Sequence, residues 1–378
     1  MNGIRLWAVA RKEFIHIIRD PRSLGMAIAV PMLLLTLFGF ALTLDVDRVP
    51  LAVWDSSGTP ASRELVSRFG GSRYFEIVRY AENYRAIEGA LDRGEALAAL
   101  VVPADFANRL AARQPASAQL ILDGSDANTA TLAMGYGRAV AAAFSQQIAL
   151  DEIRRAGGIA QPTLIDVRPR VWFNSDMESR NYIIPGLIAV IMMVIAAMLT
   201  SLTVAREWER GTMEQLISTP VRGPELVVGK LLPYFAIGML DVALAVGMGQ
   251  GVFHVPLRGS VFLVFGMAAL FLIGALSLGL LISIATRSQL LASQLALVLT
   301  FLPAFLLSGF MYSIDNMPEV IQLATHLIPA RYFVALLKGI YLKGIGLEIL
   351  WKEAALLAAF SILVTAISIR TFRKKLAP

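Results

Sequence analysis

Residues 183–205 read IIPGLIAVIMMVIAAMLTSLTVA, and Arg206-Glu207-Trp208-Glu209-Arg210-Gly211 follows at once. The first string carries no charge and matches the roughly 20 residues that a helix needs to cross the hydrocarbon of a bilayer. The second is dense in charge and ends on a glycine, as a span does where it leaves the membrane. Working outward, further apolar stretches of comparable length fall at 23–44, 231–253, 260–285 and 290–312, with a shorter one at 353–369 that Trp351 would anchor at an interface. Six transmembrane helices in an α-helical polytopic protein are therefore expected. Pro31, Pro233 and Pro303 lie in or beside these spans, which bilayer helices tolerate when neighbouring groups satisfy the freed carbonyls.

The composition agrees. Of 378 residues, 56% are hydrophobic and only 16% charged, against roughly a quarter charged in a soluble domain. The chain has no cysteine, which excludes disulfides, thiolate catalysis and cysteine metal sites. Its three histidines, His16, His254 and His326, are too scattered in sequence to suggest a metal centre. Arginine outnumbers lysine and alanine is abundant, as in a GC-rich bacterial genome. No feature points to nucleic acid. The first apolar run is too long for a signal-peptide core and lacks a clear cleavage site, so it reads as an uncleaved anchor.

Basic residues near the span ends set the orientation. Arg5, Arg11, Lys12, Arg19 and Arg22 precede the first span. Arg206, Arg210, Arg222 and Lys230 lie between the second and third, Arg287 between the fourth and fifth, and Arg370, Arg373, Lys374 and Lys375 after the last. With alternating spans all of these share one side, so both termini are expected in the cytoplasm of a bacterial cell, with the chain in its inner membrane.

Residues 45–180, between the first two spans, then fall outside. They contain no lysine, and short apolar runs alternate with helical patterns. Strands are expected at Val49–Trp54, Phe75–Arg79, Ala98–Val102, Gln119–Leu122 and Leu164–Trp172. Helices are expected at Thr59–Phe69, Tyr84–Asp92, Ala104–Arg113 and Ala127–Ala156. The pattern predicts an extracytoplasmic α/β domain large enough for its own core. Asp123-Gly124-Ser125-Asp126 reads as a turn and helix cap.

On the cytoplasmic side, residues 1–22 hold an amphipathic elbow. At 100° per residue Arg5, Lys12, His16 and Arg19 share one face and Trp7, Ala10, Phe14, Ile17 and Ile18 the other, and Asp20-Pro21 breaks the helix. Two roles are open to it: a membrane-surface anchor alone, or an elbow that also touches a cytoplasmic partner. The segment 205–222 combines dense charge, the break at Gly211 and a short helix up to Pro220. By composition alone it reads as a solvated loop flanking a span rather than as a docking knob.

That segment, Arg206-Glu207-Trp208-Glu209-Arg210-Gly211-Thr212-Met213-Glu214-Gln215-Leu216-Ile217-Ser218-Thr219-Pro220, closely resembles the signature of ABC type-2 permeases. Arg19-Asp20-Pro21-Arg22, Leu307-Ser308-Gly309-Phe310 with Asn316-Met317-Pro318, and Pro329-Ala330-Arg331-Tyr332-Phe333 with Leu342-Lys343-Gly344 resemble other parts of the same family, in the same order. The insert after the first span resembles the family's drug-exporter branch. The resemblance implies a coupling helix that docks on an ABC ATP-binding subunit, with Arg206, Glu207, Glu209, Arg210, Gly211, Thr212, Glu214 and Gln215 at the contact. It also implies a second permease copy or paralogue, a periplasmic membrane-fusion adaptor with an outer-membrane channel, and a re-entrant extracytoplasmic segment over 313–350 that shapes an exit gate.

ATP and magnesium are then expected on the partner, with no cofactor on this chain. A phosphate cradle needs Gly-x-x-x-x-Gly-Lys-Ser/Thr. The nearest approach, Gly223 to Gly229-Lys230, has the wrong spacing, and Leu231 stands where the hydroxyl belongs. Asp241, mid-way along the third span, is a costly charge. Either it lines a pathway or an interface between permease halves, or it bonds nearby hydroxyls or backbone and holds helices together. Gly247, Gly249 and Gly251 read as sites of close helix approach. A membrane-anchored sensor is the alternative of a different class. It would need a cytoplasmic signalling domain, and no segment reads as one. An intramembrane enzyme would need a partner for Asp241 that the sequence does not supply.

Overall fold

A computed structural model describes residues 2–42, 48–112, 114–155, 172–174 and 178–372; within them the side chains at 21–23, 26, 128, 152–155, 214 and 217 are left undescribed. The chain divides into two units, Met1–Thr43 with Arg170–Pro378, and Leu44–Pro169.

The helical unit begins with α1 (Gly3–Arg19), capped by the Asn2 side chain, which accepts the Ile4 amide at 3.0 Å. Arg19 ends it, and α2 (Pro21–Ala41) starts at the proline, as the Asp20-Pro21 break predicts. The apolar face expected of α1 divides in two. Ala10 and Ile17 join Val9 and Glu13 in the protein interior, while Ile4, Trp7, Phe14 and Ile18 stay exposed. A helix that buries one apolar stripe and leaves a second exposed carries two, and a single hydrophobic direction does not separate them.

The second unit is an α/β fold with β1 (Val49–Asp55), α3 (Pro60–Gly70), β2 (Phe75–Tyr80), α4 (Tyr84–Asp92), β3 (Ala98–Val102), α5 (Phe106–Ala111), β4 (Gln119–Leu122) and α6 (Ala127–Arg155). Its sheet has the order β2-β1-β3-β4, parallel except for β4. Alternation sorts the core. Val49, Leu51, Val53, Leu100 and Val102 face α3, α5 and α6, while Ala52, Ala99 and Val101 face the α4 side with Ile87 and Ala90. Asp123 Oδ1 accepts the Ser125 amide at 2.9 Å, which is the turn chemistry expected there. The strand expected over Leu164–Trp172 lies outside the described residues except for Trp172, which is in no strand.

The rest of the helical unit comprises α7 (Ser179–Glu209), α8 (Thr212–Ser218), α9 (Gly223–Gly251), α10 (Val261–Thr286), α11 (Gln289–Leu307), α12 (Glu319–Thr325), α13 (Pro329–Lys338) and α14 (Leu347–Thr371). Among the described residues five helices are long and apolar enough to cross a membrane: α7, α9, α10, α11 and α14. A sixth arises if α12 and the stretch 329–343, which meet at 87°, count as one broken span. The first expected span, 23–44, is helical as α2, with its described apolar part at Ala27–Ala41, shorter than the ~20 residues of a full crossing.

α7 is the hub. Its apolar window is 89% buried, against 22% for α11 and α14, so those two present most of their apolar surface outward. Hydroxyls join the helices: Thr200 Oγ1 donates to Leu276 O at 2.8 Å, Ser361 Oγ to Leu270 O at 2.9 Å, and Ser277 and Thr365 pair at 2.8 Å. Close approach occurs at Gly279, where an added Cβ would stand 2.2 Å from Ala197 O, and at Gly274 against Ser361. It does not occur at Gly247 or Gly251, which meet nothing within 4 Å, while at Gly249 the nearest atom is at ordinary contact distance. α11 stops at Leu307, five residues before the expected end of its span, because Gly309 turns the chain at φ 78. Lys338 Nζ from α13 donates to Gly309 O at 2.8 Å and stands over the Tyr182 ring, pinning that turn to α7.

Candidate functional site

The Arg206–Pro220 segment is built as a continuation of the hub. α7 runs without a break from the apolar span through Arg206, Glu207, Trp208 and Glu209. Gly211 then adopts φ 70, a left-handed conformation that costs an L-residue about 1–2 kcal/mol. The seven-residue α8 follows and ends before Thr219-Pro220. The sharp turn is legible in the sequence because Gly211 is the one residue there that takes this backbone freely.

What holds the elbow is not legible locally. Lys230 is 1% exposed and lies two turns inside α9, where the sequence reading placed it in a cytoplasmic loop. Its ammonium stands 2.8 Å from Glu13 Oε1 of α1 and 2.9 Å from Glu207 Oε2 of α7. Lys12 Nζ lies 2.8 Å from Glu207 Oε1 and 3.8 Å from Glu13 Oε1. Glu13 and Glu207 are themselves only 5% and 7% exposed. Two acids and two bases, drawn from three helices, form one neutral cluster.

Burial alone would raise the Glu13 carboxyl, but Lys230 and then Lys12 outweigh it and hold it below the ordinary glutamate value. Burial likewise would lower Lys12, yet its hydrogen bond and charge pairing with Glu207 leave it above the ordinary lysine value. Both shifts favour the charged forms. Such a cluster adds little net stability over an apolar replacement, but removing one partner strands a buried charge at a cost of about 3–5 kcal/mol. Its effect is to fix geometry: α1 and α9 cannot shift against α7 without breaking it.

The contacts around it are close. Gly229 lets α1 approach α9, since a Cβ there would stand 2.9 Å from Val9 Cβ. Glu225 accepts the Asn2 amide at 2.7 Å and the Arg222 amide at 3.0 Å. Arg5 reaches the Pro220 carbonyl at 2.7 Å, joining α1 to the end of the α8 segment. On the other side Glu209 accepts the Gln289 amide at 2.7 Å and also its side chain, and Arg287 lies over the Trp208 ring. Ser283 of α10 accepts the Val204 and Ala205 amides at 3.0 and 2.9 Å.

The expected contact residues therefore divide. Arg206, Glu207, Arg210, Thr212 and Gln215 line one cavity of about 350 Å³ with Lys12, Glu13 and Tyr234. Glu207 is an internal brace rather than an outward contact, Glu209 clamps the start of α11, and Gly211 makes the turn. Arg210 and Gln215 are exposed, and the Glu214 side chain lies outside the described residues. Glu13 and Lys230 are absent from the sequence-predicted set. One signal was present: Glu13 sits four residues from both Val9 and Ile17 on the inward stripe of α1.

Asp241 lacks the hydroxyl or backbone bonds of one of its two expected roles. It is 0% exposed, inside one bundle, and neither carboxylate oxygen has a hydrogen-bond partner among the described residues.

Comparison with known proteins adds the decisive observation. Residues 21–370 match the model of the ABC-2 family transporter protein. The chain belongs to the ABC-2 transporter family. Escherichia coli K12 proteins named "Probable multidrug ABC transporter permease YbhS" and "YbhR" are 40% and 30% identical to it, covering 90% and 98% of this chain and 89% and 99% of theirs. A Dictyostelium discoideum "ABC transporter G family member 20" is 24% identical across 96% of this chain but only 49% of its own length. The match takes in α2 and the helices from α7 onward up to Arg370, and with them Glu207 and Lys230 of the cluster, whereas Lys12 and Glu13 of α1 lie before it. The matched family is a transport component and carries no ATPase site of its own.

Proposed function

We propose that this chain is the permease subunit of an ABC exporter in a bacterial inner membrane, driven by ATP that a separate subunit hydrolyses. Both termini and α8 face the cytoplasm, and the α/β unit of Leu44–Pro169 lies outside. The observation that carries this reading is the rigid elbow. A force applied to α8 reaches α7 across the Gly211 turn, and the Lys230 cluster passes it at once to α1 and α9. Nucleotide-driven motion shifts a permease between inward- and outward-facing states only if the docked contact differs in energy between them, and a braced lever meets that requirement better than a loose loop.

Within this reading Gln215 and Glu214 meet the ATP-binding subunit, Gly211 sets the angle, Arg206, Glu207 and Glu209 hold the lever, and Arg210 lines the chamber behind it. ATP and magnesium bind on that partner. The outward apolar surfaces of α11 and α14 suit lipid and a second permease chain. The bend between α12 and α13 serves as a re-entrant exit gate. The multidrug names of the relatives favour hydrophobic compounds as cargo, and the external α/β unit is the place for a periplasmic adaptor that continues to an outer-membrane channel.

The absence of cysteine makes the test direct. Gln215→Cys is expected to cross-link to the ATP-binding subunit, whereas a cysteine at Leu244 on the outer face of α9 is not. Gly211→Pro, which cannot take φ 70, is expected to abolish substrate-stimulated ATPase in the reconstituted complex. Full stimulation in Gly211→Pro, or no cross-link at position 215, sinks the coupling role.

A further inference from the structure

The cavity beside the elbow does not end at the ion cluster. A second one, of about 270 Å³, runs up between α2, α7 and α9 and shares His16, Arg206 and Tyr234 with the first. The two are chambers of one site with opposite character. The lower chamber is lined by charge. The upper is walled by Leu24, Ala27 and Val30 of α2 and by Met198, Leu199 and Leu202 of α7, with Asp20 as its acid.

The charges of the lower chamber are not all spent. Lys12, Glu13 and Glu207 are satisfied by each other and by Lys230. Arg206, by contrast, forms no ion pair among the described residues; its bond is to the neutral Gln289 Oε1, at a long 3.4 Å. Arg210 lines the same chamber, and its guanidinium makes no ion pair or hydrogen bond among the described residues. Two guanidiniums without an ion pair among the described residues therefore line the site, Arg206 at the junction with the trough and Arg210 in the lower chamber, and His16 and Tyr234 add polar edges at the junction.

We infer that this double chamber binds an anionic phospholipid of the cytoplasmic leaflet, with the phosphate on Arg206 and Arg210 and an acyl chain along the α2–α7 trough. Charge complementarity selects the head: both kinds of lipid offer the guanidiniums a phosphodiester, but the ammonium of a zwitterionic lipid offsets its charge and is repelled by the same arginines. The apolar trough opening at the same junction selects an amphiphile over a free anion. The site rests on the proposed topology, which lays α1 along the negatively charged inner surface. Because the lipid touches α1, α2, α7 and α9 around the brace, its occupancy stiffens the same elbow that couples to ATP hydrolysis.

Native mass spectrometry of the purified full-length chain, offered equimolar phosphatidylglycerol and phosphatidylcholine, tests this. The wild type is expected to retain phosphatidylglycerol in preference. Arg206→Gln with Arg210→Gln should reduce that retention about tenfold or more, the loss of charge-assisted bonds. Leu199→Trp, which fills the trough and leaves both arginines, should reduce it as well. Arg222→Gln, on a neighbouring base outside both chambers, should not. Equal retention of the two lipids by the wild type, preference intact in the double variant, equal loss in Arg222→Gln, or displacement of the lipid by inorganic phosphate would each overturn the site. The readout needs neither an ATP-binding subunit nor cargo. Its failure therefore leaves the permease reading standing, and failure of cross-linking at position 215 leaves this binding result standing.

Discussion

Among the places in the helical bundle that bury acids, two do it in opposite ways. Where α1, α7 and α9 meet, Glu13 and Glu207 are taken out of water together with Lys230, with the half-exposed Lys12 at the rim, so every charge has an opposite neighbour within 4 Å. Midway along α9, Asp241 is buried just as deeply with no hydrogen-bond partner among the described residues. Only eleven positions of one helix separate Lys230 from Asp241. The first site spends its burial on geometry, fixing three helices. The second gains nothing from the fold of a single chain and bears the cost of a bare polar group. Burial of charge is therefore not one phenomenon here: where partners converge it is a brace, and where they do not it is stored cost.

Removing one partner should separate the two cases most. Lys230→Met is expected to lower stability by about 3–5 kcal/mol, because it strands two buried carboxylates, and thermal melting of the purified chain in detergent measures it. A melting temperature equal to the wild type would mean that the cluster is not a brace. Adding Glu13→Gln to Lys230→Met should return a coupling energy of about 0.5–3 kcal/mol, so that the double variant is more stable than the sum of the singles. Strict additivity would break the claim that the charges act as one unit. Asp241→Asn should move the other way. With no bond to lose and a charge relieved, stability is expected to hold or rise by roughly 1 kcal/mol, and a loss on the scale of Lys230→Met would show that Asp241 has a partner after all.

The last effect is one of pH. Glu13 is held below its ordinary value, so its contribution is present above the unfolded glutamate range and is lost as pH falls through the depressed folded value. Lys12 is held above its ordinary value, so its part is present below the unfolded lysine range and is lost as pH rises through the raised one. The brace should be intact at neutral pH and loosen only at the acid and alkaline extremes. In Lys230→Met the acid limb of the melting-temperature profile should move to higher pH, and an unmoved limb would remove Lys230 as the cause.

Much of this architecture could be read along the chain. The break at Asp20-Pro21, the left-handed turn at Gly211, the strand limits of Ala98–Val102 and Gln119–Leu122 and the extent of α10 follow from contiguous hydropathy or from the backbone limits of one residue. Such signals are local, and the sequence carries them whole. Tertiary structure alone decided which charges meet. Glu13 and Lys230 are 217 residues apart, and nothing in either neighbourhood names the other. The same holds for the glycines. Gly247, Gly249 and Gly251 form the conspicuous repeat, yet glycines outside it, Gly229, Gly274 and Gly279 among them, admit a neighbour, because closeness depends on which helix lies opposite. A single chain fixes the period and polarity of its own helices; the partner of each face is set only when the helices pack.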